Sequence, residues 1–371
     1  MLHVVECGGG DLFAFNALLR RKPAPLLGID ISSSTIKLVE LDRDRGGALR
    51  LLHCAIEPLE RGWVVDGNIE KFDEVAEALR RLVHKAGTRT KRAALALPGS
   101  AVITRKISLP AELDEDQLEI QVEAEAAQLI PFPLTDVALD FCVIGPSSTA
   151  AGYQEVLVAA ARKEKVNDRQ GVAEAAGLQP VIVDVEPYAS RLAATRAIER
   201  LPGGRQQLVA LFEIGSQSTT LQVVRGDDMV YERDQPMGGE GLTEMIARQY
   251  GLSRDEAELK KKQGGAALPP DYAQAVLQPF LDSLGQELGR ALQFFFTSTP
   301  HNRVDHILLS GGSANLPGLA QTVTLQTGFA ASVVNPFDGM AVPPSIPAAR
   351  LALESTSYLV ATGLALRRFA S

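Results

Sequence analysis

The sequence predicts an α/β fold built from two similar halves, and three stretches predict it. The first, residues 28–41, is a buried strand carrying Asp30, a turn through Ser32, Ser33, Ser34 and Thr35, and a second apolar strand carrying Lys37. The second, residues 211–224, repeats that layout: Glu213 falls where Asp30 does, and Ser216 and Ser218 fall where Ser33 and Thr35 do. The third, residues 304–319, is a buried strand, a Ser310-Gly311-Gly312-Ser313 turn and a helix start. Small hydroxyl-rich turns let backbone N–H groups approach an anion, because no bulky side chain intervenes. Asp30 and Glu213 are placed to hold a hard cation through water, and Lys37 adds a mobile positive charge. Either hairpin alone reads first as an ordinary polar turn. The internal repeat shifts the reading toward two loops gripping one polyphosphate.

At 371 residues the chain is long enough for two cores. Its 46% hydrophobic and 22% charged content is that of an ordinary globular protein. A net charge of −8 argues against nucleic acid, whose phosphates need a basic face. Cys7, Cys54 and Cys142 are widely spaced, so neither a disulfide framework nor a zinc site is indicated. No apolar run approaches the roughly 20 residues of a membrane span. Residues 1–10 carry Glu6 and three glycines, with no apolar core after them, and do not read as a secretory signal.

Taken in order, residues 1–25 stand apart as a leader. Leu12, Phe13, Phe15, Leu18 and Leu19 with the basic end Arg20-Arg21-Lys22 suggest a short docking helix; the simpler reading is a disordered leader ending at Pro23. Residues 26–100 form the first half of one domain: the hairpin, a third strand at 48–58, an amphipathic helix at 72–86 with Val75, Leu79, Leu82 and Val83 on one face, and a buried strand at 92–97. Residues 101–180 read as an inserted unit, with strands at 102–109, 136–144 and 153–161, an acidic helix at 114–128 and a helix at 163–176. Its acidic helix is most simply a solvated face, although Ile120, Ala124, Ala127 and Leu129 also make an apolar seam fit for a peptide. A strand at 181–185 runs into a helix that opens Glu186-Pro187. There Glu186 either caps the helix N-terminus or orients a water, and residues 181–200 complete the first domain.

Residues 205–357 form the second domain. After its hairpin, Gly238-Gly239 precedes a helix at 242–250. Ser253 caps a helix in which Glu256 and Lys260 stand four apart, by default a surface ion pair. A long helix at 280–296 repeats Leu281, Leu284, Leu288 and Leu292 at core spacing. The strand and glycine pair follow; glycines there let a flat ring or phosphate approach the backbone, with helix N–H groups as donors. Residues 358–371 close the chain with an apolar helix containing Gly363.

Hairpin, Glu-Pro helix, hairpin, Ser-Gly-Gly-Ser loop and glycine-containing last helix follow the order of the actin/chaperone/sugar-kinase ATPase superfamily. In that resemblance residues 30–37 look like the first phosphate loop, 186–194 the first connecting helix and 212–220 the second phosphate loop. Residues 310–313 look like the adenosine loop and 358–366 the second connecting helix, while 101–180 lies where the cell-division protein FtsA carries its alternative subdomain. More narrowly, residues 27–38, 99–104, Ile130-Pro-Phe-Pro133, Lys261-Lys-Gln-Gly-Gly265, Leu292-Gln-Phe-Phe-Phe296 and Asn335-Pro-Phe337 resemble the type IV pilus assembly protein PilM family. The likeness runs from about residue 24 onward.

The resemblance implies an FtsA-like, actin-like ATPase fold with ATP and Mg²⁺ between its halves. It also implies a cytoplasmic protein held peripherally at the inner membrane by the N-terminal tail of a bitopic PilN-like protein, which docks beside the extra subdomain. Links to the pilus motor ATPases and self-association are further expectations. Asp30 and Glu213 would hold Mg²⁺ through water; Ser32, Ser33, Ser34, Lys37, Gly215, Ser216, Ser218 and Thr219 would hold phosphates. Gly239, Glu256, Lys260, Gly311, Gly312 and Ser313 would hold the nucleoside, and Glu186 is the one candidate for orienting water. The family usually has Asp where this chain has Glu213. The extra methylene moves the carboxylate by about 1.5 Å, enough to slow in-line water attack while sparing binding, so weak or no ATPase activity is expected. The competing readings are an FtsA-like filament-forming ATPase and a small-molecule kinase of the same fold. No acid facing a separate substrate pocket can be read from the sequence to support the kinase.

Overall fold

The computed structural model describes residues 23–147 and 150–369. The leader reading, apart from its last three residues, lies outside the described residues. The chain divides into two units. The first takes in the described residues up to 193 with Gly339–Ile346 and those from 360 onward; the second takes in Ala194–Asp338 and Pro347–Leu359.

The first unit is organised on a five-stranded sheet. Strands β1 (Leu27–Ile31), β2 (Thr35–Arg43) and β3 (Leu49–Pro58) form an antiparallel meander. A two-rung ribbon, β4 (Val64–Val65) and β5 (Asn68–Ile69), leads to α1 (Phe72–Ala86) and then β6 (Arg92–Leu97), which pairs parallel to β1. All five residues of β1 are buried, as expected of a strand covered on both faces. Helix α1 buries Val75, Leu79, Leu82 and Val83 and ends at Gly87, whose φ of 69° closes it in the left-handed conformation.

A separate three-stranded sheet then intervenes. It contains β7 (Val102–Pro110), β8 (Val137–Pro146) and the central β9 (Tyr153–Arg162), in the order β7-β9-β8. Helix α2 (Glu115–Leu129) opens with a capping box between Asp114 and Gln117 and buries Leu118, Val122 and Ala126. Leu118 and Val122 pack on Leu109, Val156 and Val158. Its carboxylates point outward with Ile120, which is 64% exposed. The chain returns through α3 (Lys163–Ala175) to β10 (Gln179–Val185), parallel to β6, and on to α4 (Glu186–Ile198).

The second unit repeats the plan. Strands β11 (Val209–Ile214), β12 (Thr219–Arg225) and β13 (Asp228–Gln235) form the meander. Helices α5 (Glu240–Tyr250), α6 (Arg254–Gln263) and α7 (Gln278–Ser298) follow. Strand β14 (His306–Ser310) pairs parallel to β11, and beyond α8 (Leu319–Thr327), β15 (Ala331–Val333) pairs parallel to β14. The two sheets read β3-β2-β1-β6-β10 and β13-β12-β11-β14-β15, so three antiparallel strands followed by two parallel ones occur twice. Leu281, Leu284, Leu288 and Leu292 of α7 lie in the second core. The chain closes through α9 (Ala348–Glu354) and α10 (Leu359–Leu366).

Helix α10 approaches β1 and α4 backbone to backbone. A Cβ on Gly28 would meet the Ala361 carbonyl oxygen at 2.0 Å, and one on Gly363 would meet the Ala189 carbonyl oxygen at 1.8 Å. Just beyond α10, Arg367 Nε donates to Asp184 Oδ2 at 2.6 Å. Burial raises the Asp184 carboxyl above its ordinary range, and Arg367 works against that shift.

Candidate functional site

In the first unit, antiparallel register places Asp30 opposite Lys37. Lys37 Nζ donates to Asp30 Oδ2 at 2.7 Å and to Ser32 Oγ at 3.0 Å. Ser32 Oγ in turn donates to the Thr35 carbonyl at 2.9 Å, and the Ser32 N–H bonds the same carbonyl. Only 4% of Asp30 and 8% of Lys37 is exposed. Lys37 is therefore a buried ion-pair partner and not the mobile charge the turn suggested. Ser33 and Ser34 lie half-buried at the tip of the hairpin. Glu186, expected just ahead of the helix N-terminus, is the first residue of α4.

In the second unit three loops meet through their backbones. Gly239 N–H donates to the Gly215 carbonyl at 2.9 Å, Glu240 N–H to the Ser216 carbonyl at 2.8 Å, and Ser313 N–H to the Ile214 carbonyl at 3.2 Å. Glycine is required at Gly238 and Gly311, where backbone stands in the way of a Cβ. A Cβ on Gly238 would lie 2.5 Å from the Ser216 carbonyl oxygen, and one on Gly239 2.2 Å from Ser313 Oγ. Gly311 has φ +93°, and a Cβ there would lie 2.4 Å from the Ile214 carbonyl oxygen. Gly312 is exposed with open space above it, and Ser218 is exposed at the hairpin tip. Glu213 is half-buried, facing Thr220 on β12 and Ser310 on β14. Thr219 differs from its expected role: it is 1% exposed and its hydroxyl donates to the Met237 carbonyl at 2.7 Å, fastening the turn.

The two expected nucleoside residues on α6 are engaged elsewhere. Glu256 Oε2 accepts from Ser253 N–H and Oγ, both at 2.8 Å, in a capping box, and those bonds hold its carboxyl below the usual range. Lys260 Nζ donates to the Ala267 carbonyl at 3.3 Å. The residues turned toward the glycine loops are Glu258 and Lys261. Lys261 Nζ reaches the Gly239 carbonyl at 3.1 Å, Thr243 Oγ1 at 2.7 Å and Glu258 Oε2 at 2.6 Å. Burial pushes the Lys261 amine down against the pull of Glu258. Burial alone would raise the Glu258 carboxyl, but Lys261 and Thr243 bring it below its ordinary value. The sequence held a signal for this: once Ser253-x-x-Glu256 is read as a capping box, the next carboxylate on α6 falls one half-turn later.

A third residue was missed as well. Arg169 on α3 is 1% exposed. Its Nε donates to the Ala96 carbonyl at 3.2 Å and Nη2 to the Gly67 carbonyl at 2.8 Å, while Nη1 has no hydrogen-bond partner. Burial pushes the guanidinium down from its ordinary value, and the charges of Glu186, Asp30 and Asp168 oppose that shift. Its signal was an arginine at an apolar helix position, spaced three or four from Val166, Val172 and Ala173, all buried.

The described residues contain no group of three or more His, Cys, Asp or Glu able to hold a metal ion, and no helix among them is long and apolar enough to cross a membrane.

The profile of the family described as type IV pilus assembly protein PilM matches residues 28–369. The solved PilM-PilN type IV pilus biogenesis complex is similar to this chain with a TM-score of 0.76 and 32% identity, covering 93% of this chain and 99% of that one. Cell division protein FtsA of Bacillus subtilis (strain 168) is 26% identical over 267 residues, 65% of this chain and 58% of that protein, so this match spans little more than half of the relative's length. MreB5 of Spiroplasma citri, solved bound to ADP, shares the fold at a TM-score of 0.50 and 13% identity, with 92% of this chain and 95% of that one covered. The duplicated sheets and these likenesses make this an actin-like ATPase fold with an FtsA-like extra subdomain. The chain belongs to the type IV pilus assembly protein PilM family.

Proposed function

We propose that this protein is an ATP-binding adaptor of the inner-membrane pilus assembly complex, holding the cytoplasmic tail of a PilN-like bitopic protein and linking it to the motor. The observation that carries the nucleotide half is the meeting of Gly215–Ser216, Gly238–Gly239 and Gly311–Ser313, three small-residue loops hydrogen-bonded through their backbones so closely that a Cβ at Gly238 or Gly311 would strike main chain. Ser32–Ser34 are proposed as the phosphate loop of the first unit, and Gly215, Ser216 and Ser218 as that of the second. Glu258 and Lys261 stand beside Gly239 as nucleoside contacts in place of Glu256 and Lys260. Mg²⁺ prefers to keep water and phosphate ligands, so a single carboxylate in each unit, Asp30 in the first and Glu213 in the second, is proposed to meet it through water. Glu186 remains the candidate for orienting water.

The tail half rests on the likeness to a protein solved as a PilM-PilN complex and on the 101–180 subdomain, whose α2 presents carboxylates around exposed Ile120. Calorimetric titration of a peptide copying the partner's cytoplasmic tail, with and without Mg·ATP, tests both halves. Micromolar or tighter binding that surface mutations within 101–180 abolish supports the adaptor. No binding in either condition removes it.

A further inference from the structure

The sheet of the second unit ends in a strand with an open edge. Strand β13 is the outermost of five, and among the described residues it pairs only with β12. The outer edge of such a strand turns alternate N–H and C=O groups away from the sheet, where an extended segment can continue the ladder.

The side chains along this edge define the segment that fits. Glu232 and Asp234 are two residues apart, so they share one face, about 7 Å from each other along the strand. Both are exposed, and neither forms an ion pair among the described residues. Asp234 Oδ1 accepts from Thr220 Oγ1 at 2.7 Å. Opposite Glu232 on β12 stands Gln222, 0% exposed, with neither its amide nitrogen nor its amide oxygen hydrogen-bonded. Facing residues on neighbouring strands stand about 5 Å apart, so two carboxylates and an unmet amide acceptor share one patch. Desolvation, and then the Asp234 charge, push the Glu232 carboxyl up to about 7, and a cation delivered to the pair opposes that shift.

The other face of β13 is different. There Arg233 lays its guanidinium over the Phe294 ring of α7, 4.2 Å from the centroid, and Phe294 is 49% exposed. An aromatic surface stands open beside the edge on that side. We propose that the β13 edge docks an extended segment of a partner protein in which basic and apolar residues alternate. The segment adds as a sixth strand, with lysines or arginines over Glu232 and Asp234 and apolar side chains against Phe294. Its spacing matches, because alternate residues of an added strand are also about 7 Å apart. A second copy of this chain does not meet the requirement: antiparallel pairing of two β13 edges about a two-fold axis keeps like faces together and brings carboxylates toward carboxylates. Docking here does not rest on the adaptor reading.

The experiment uses the full chain and three synthetic peptides: alternating lysine and valine, the same composition in two blocks, and alternating glutamate and valine. The first should bind by calorimetry, protect the amides of residues 229–234 from hydrogen exchange and lower the Glu232 titration midpoint from about 7. The double variant Glu232→Gln/Asp234→Asn, two exposed and isosteric changes, should weaken it about ten-fold or more. The glutamate peptide should not bind. No binding of the alternating lysine peptide, equal binding of either control, equal binding by the double variant, or protection outside β13 would each overturn the docking edge. Protection of residues 229–234 that grows with protein concentration alone would give the edge to a second copy and overturn it as well.

Discussion

Gly363 of α10 lies so close to Ala189 of α4 that a Cβ on it would stand 1.8 Å from the Ala189 carbonyl oxygen. No rotamer relieves a clash between a Cβ and backbone, so the helices must separate. Gly363→Ala should cost on the order of 3 kcal/mol, read as a lowered midpoint in urea unfolding. Gly28→Ala, facing Ala361 and Ala365 from β1, should do the same. An unchanged midpoint for both would show that the helices are not held at this distance.

The Asp30–Lys37 pair separates stability from ligand binding. Removing one partner of a buried pair strands the other charge, so Asp30→Asn and Lys37→Met should each cost about 3–5 kcal/mol. The double variant Asp30→Leu/Lys37→Met removes both charges and should recover most of that loss, yet it should bind no Mg·ATP by calorimetry. Restored binding in the double variant would remove Asp30 from the site.

On α6, neighbouring lysines should behave differently. Lys261→Ala removes the contacts to Gly239, Thr243 and Glu258 and should weaken ATP about ten-fold or more. Lys260→Ala, whose amine reaches the Ala267 carbonyl, should change it less than about two-fold. Equal effects would return the nucleoside contact to Lys260.

Glu232 gives a pH signature. Glu232 lies exposed on β13, yet desolvation by its neighbours and the nearby Asp234 carboxylate raise its carboxyl from 4.5 to about 7. Between those values the folded chain holds more protons than the unfolded one. Its contribution to stability is therefore present at low pH, falls as pH rises through the window, and is gone above about 7. A ¹³C-detected titration of Glu232 should show a midpoint near 7, lowered by Asp234→Asn; Glu232→Gln should remove the corresponding slope in stability.

Much of this was legible in the residues. The hairpins at 28–41 and 211–224 were readable because their apolar runs and hydroxyl turns are local, and α7 because its leucines recur at core spacing. The parts that were not legible depend on direction. Thr219 resembles Ser218 in sequence, but strand alternation sends it inward to the Met237 carbonyl. Lys37 reads as a flexible cation until cross-strand register sets Asp30 opposite it. Among Lys260, Lys261 and Lys262, only three-dimensional rotation about α6 chooses the one beside Gly239. Arg169 finds its acceptors in Gly67 and Ala96, 102 and 73 residues away, a distance over which local pattern carries nothing.

The first unit is discontinuous in the chain, and this has a consequence for how the protein is made. Leu26, Ala94, Ala96 and Ala189 share a core with Val360 and Leu364. Domains fold as units during synthesis, N-terminal ones first, at about 5–20 residues per second. Here the earliest-made unit waits for α10, so its apolar seam stays open until nearly the whole chain has left the ribosome. The second unit, encoded almost continuously, can close before it. The unit begun first is finished last, and for that interval the apolar seam along β6 and α4 lacks the Val360 and Leu364 side chains that cover it and is open to chaperones.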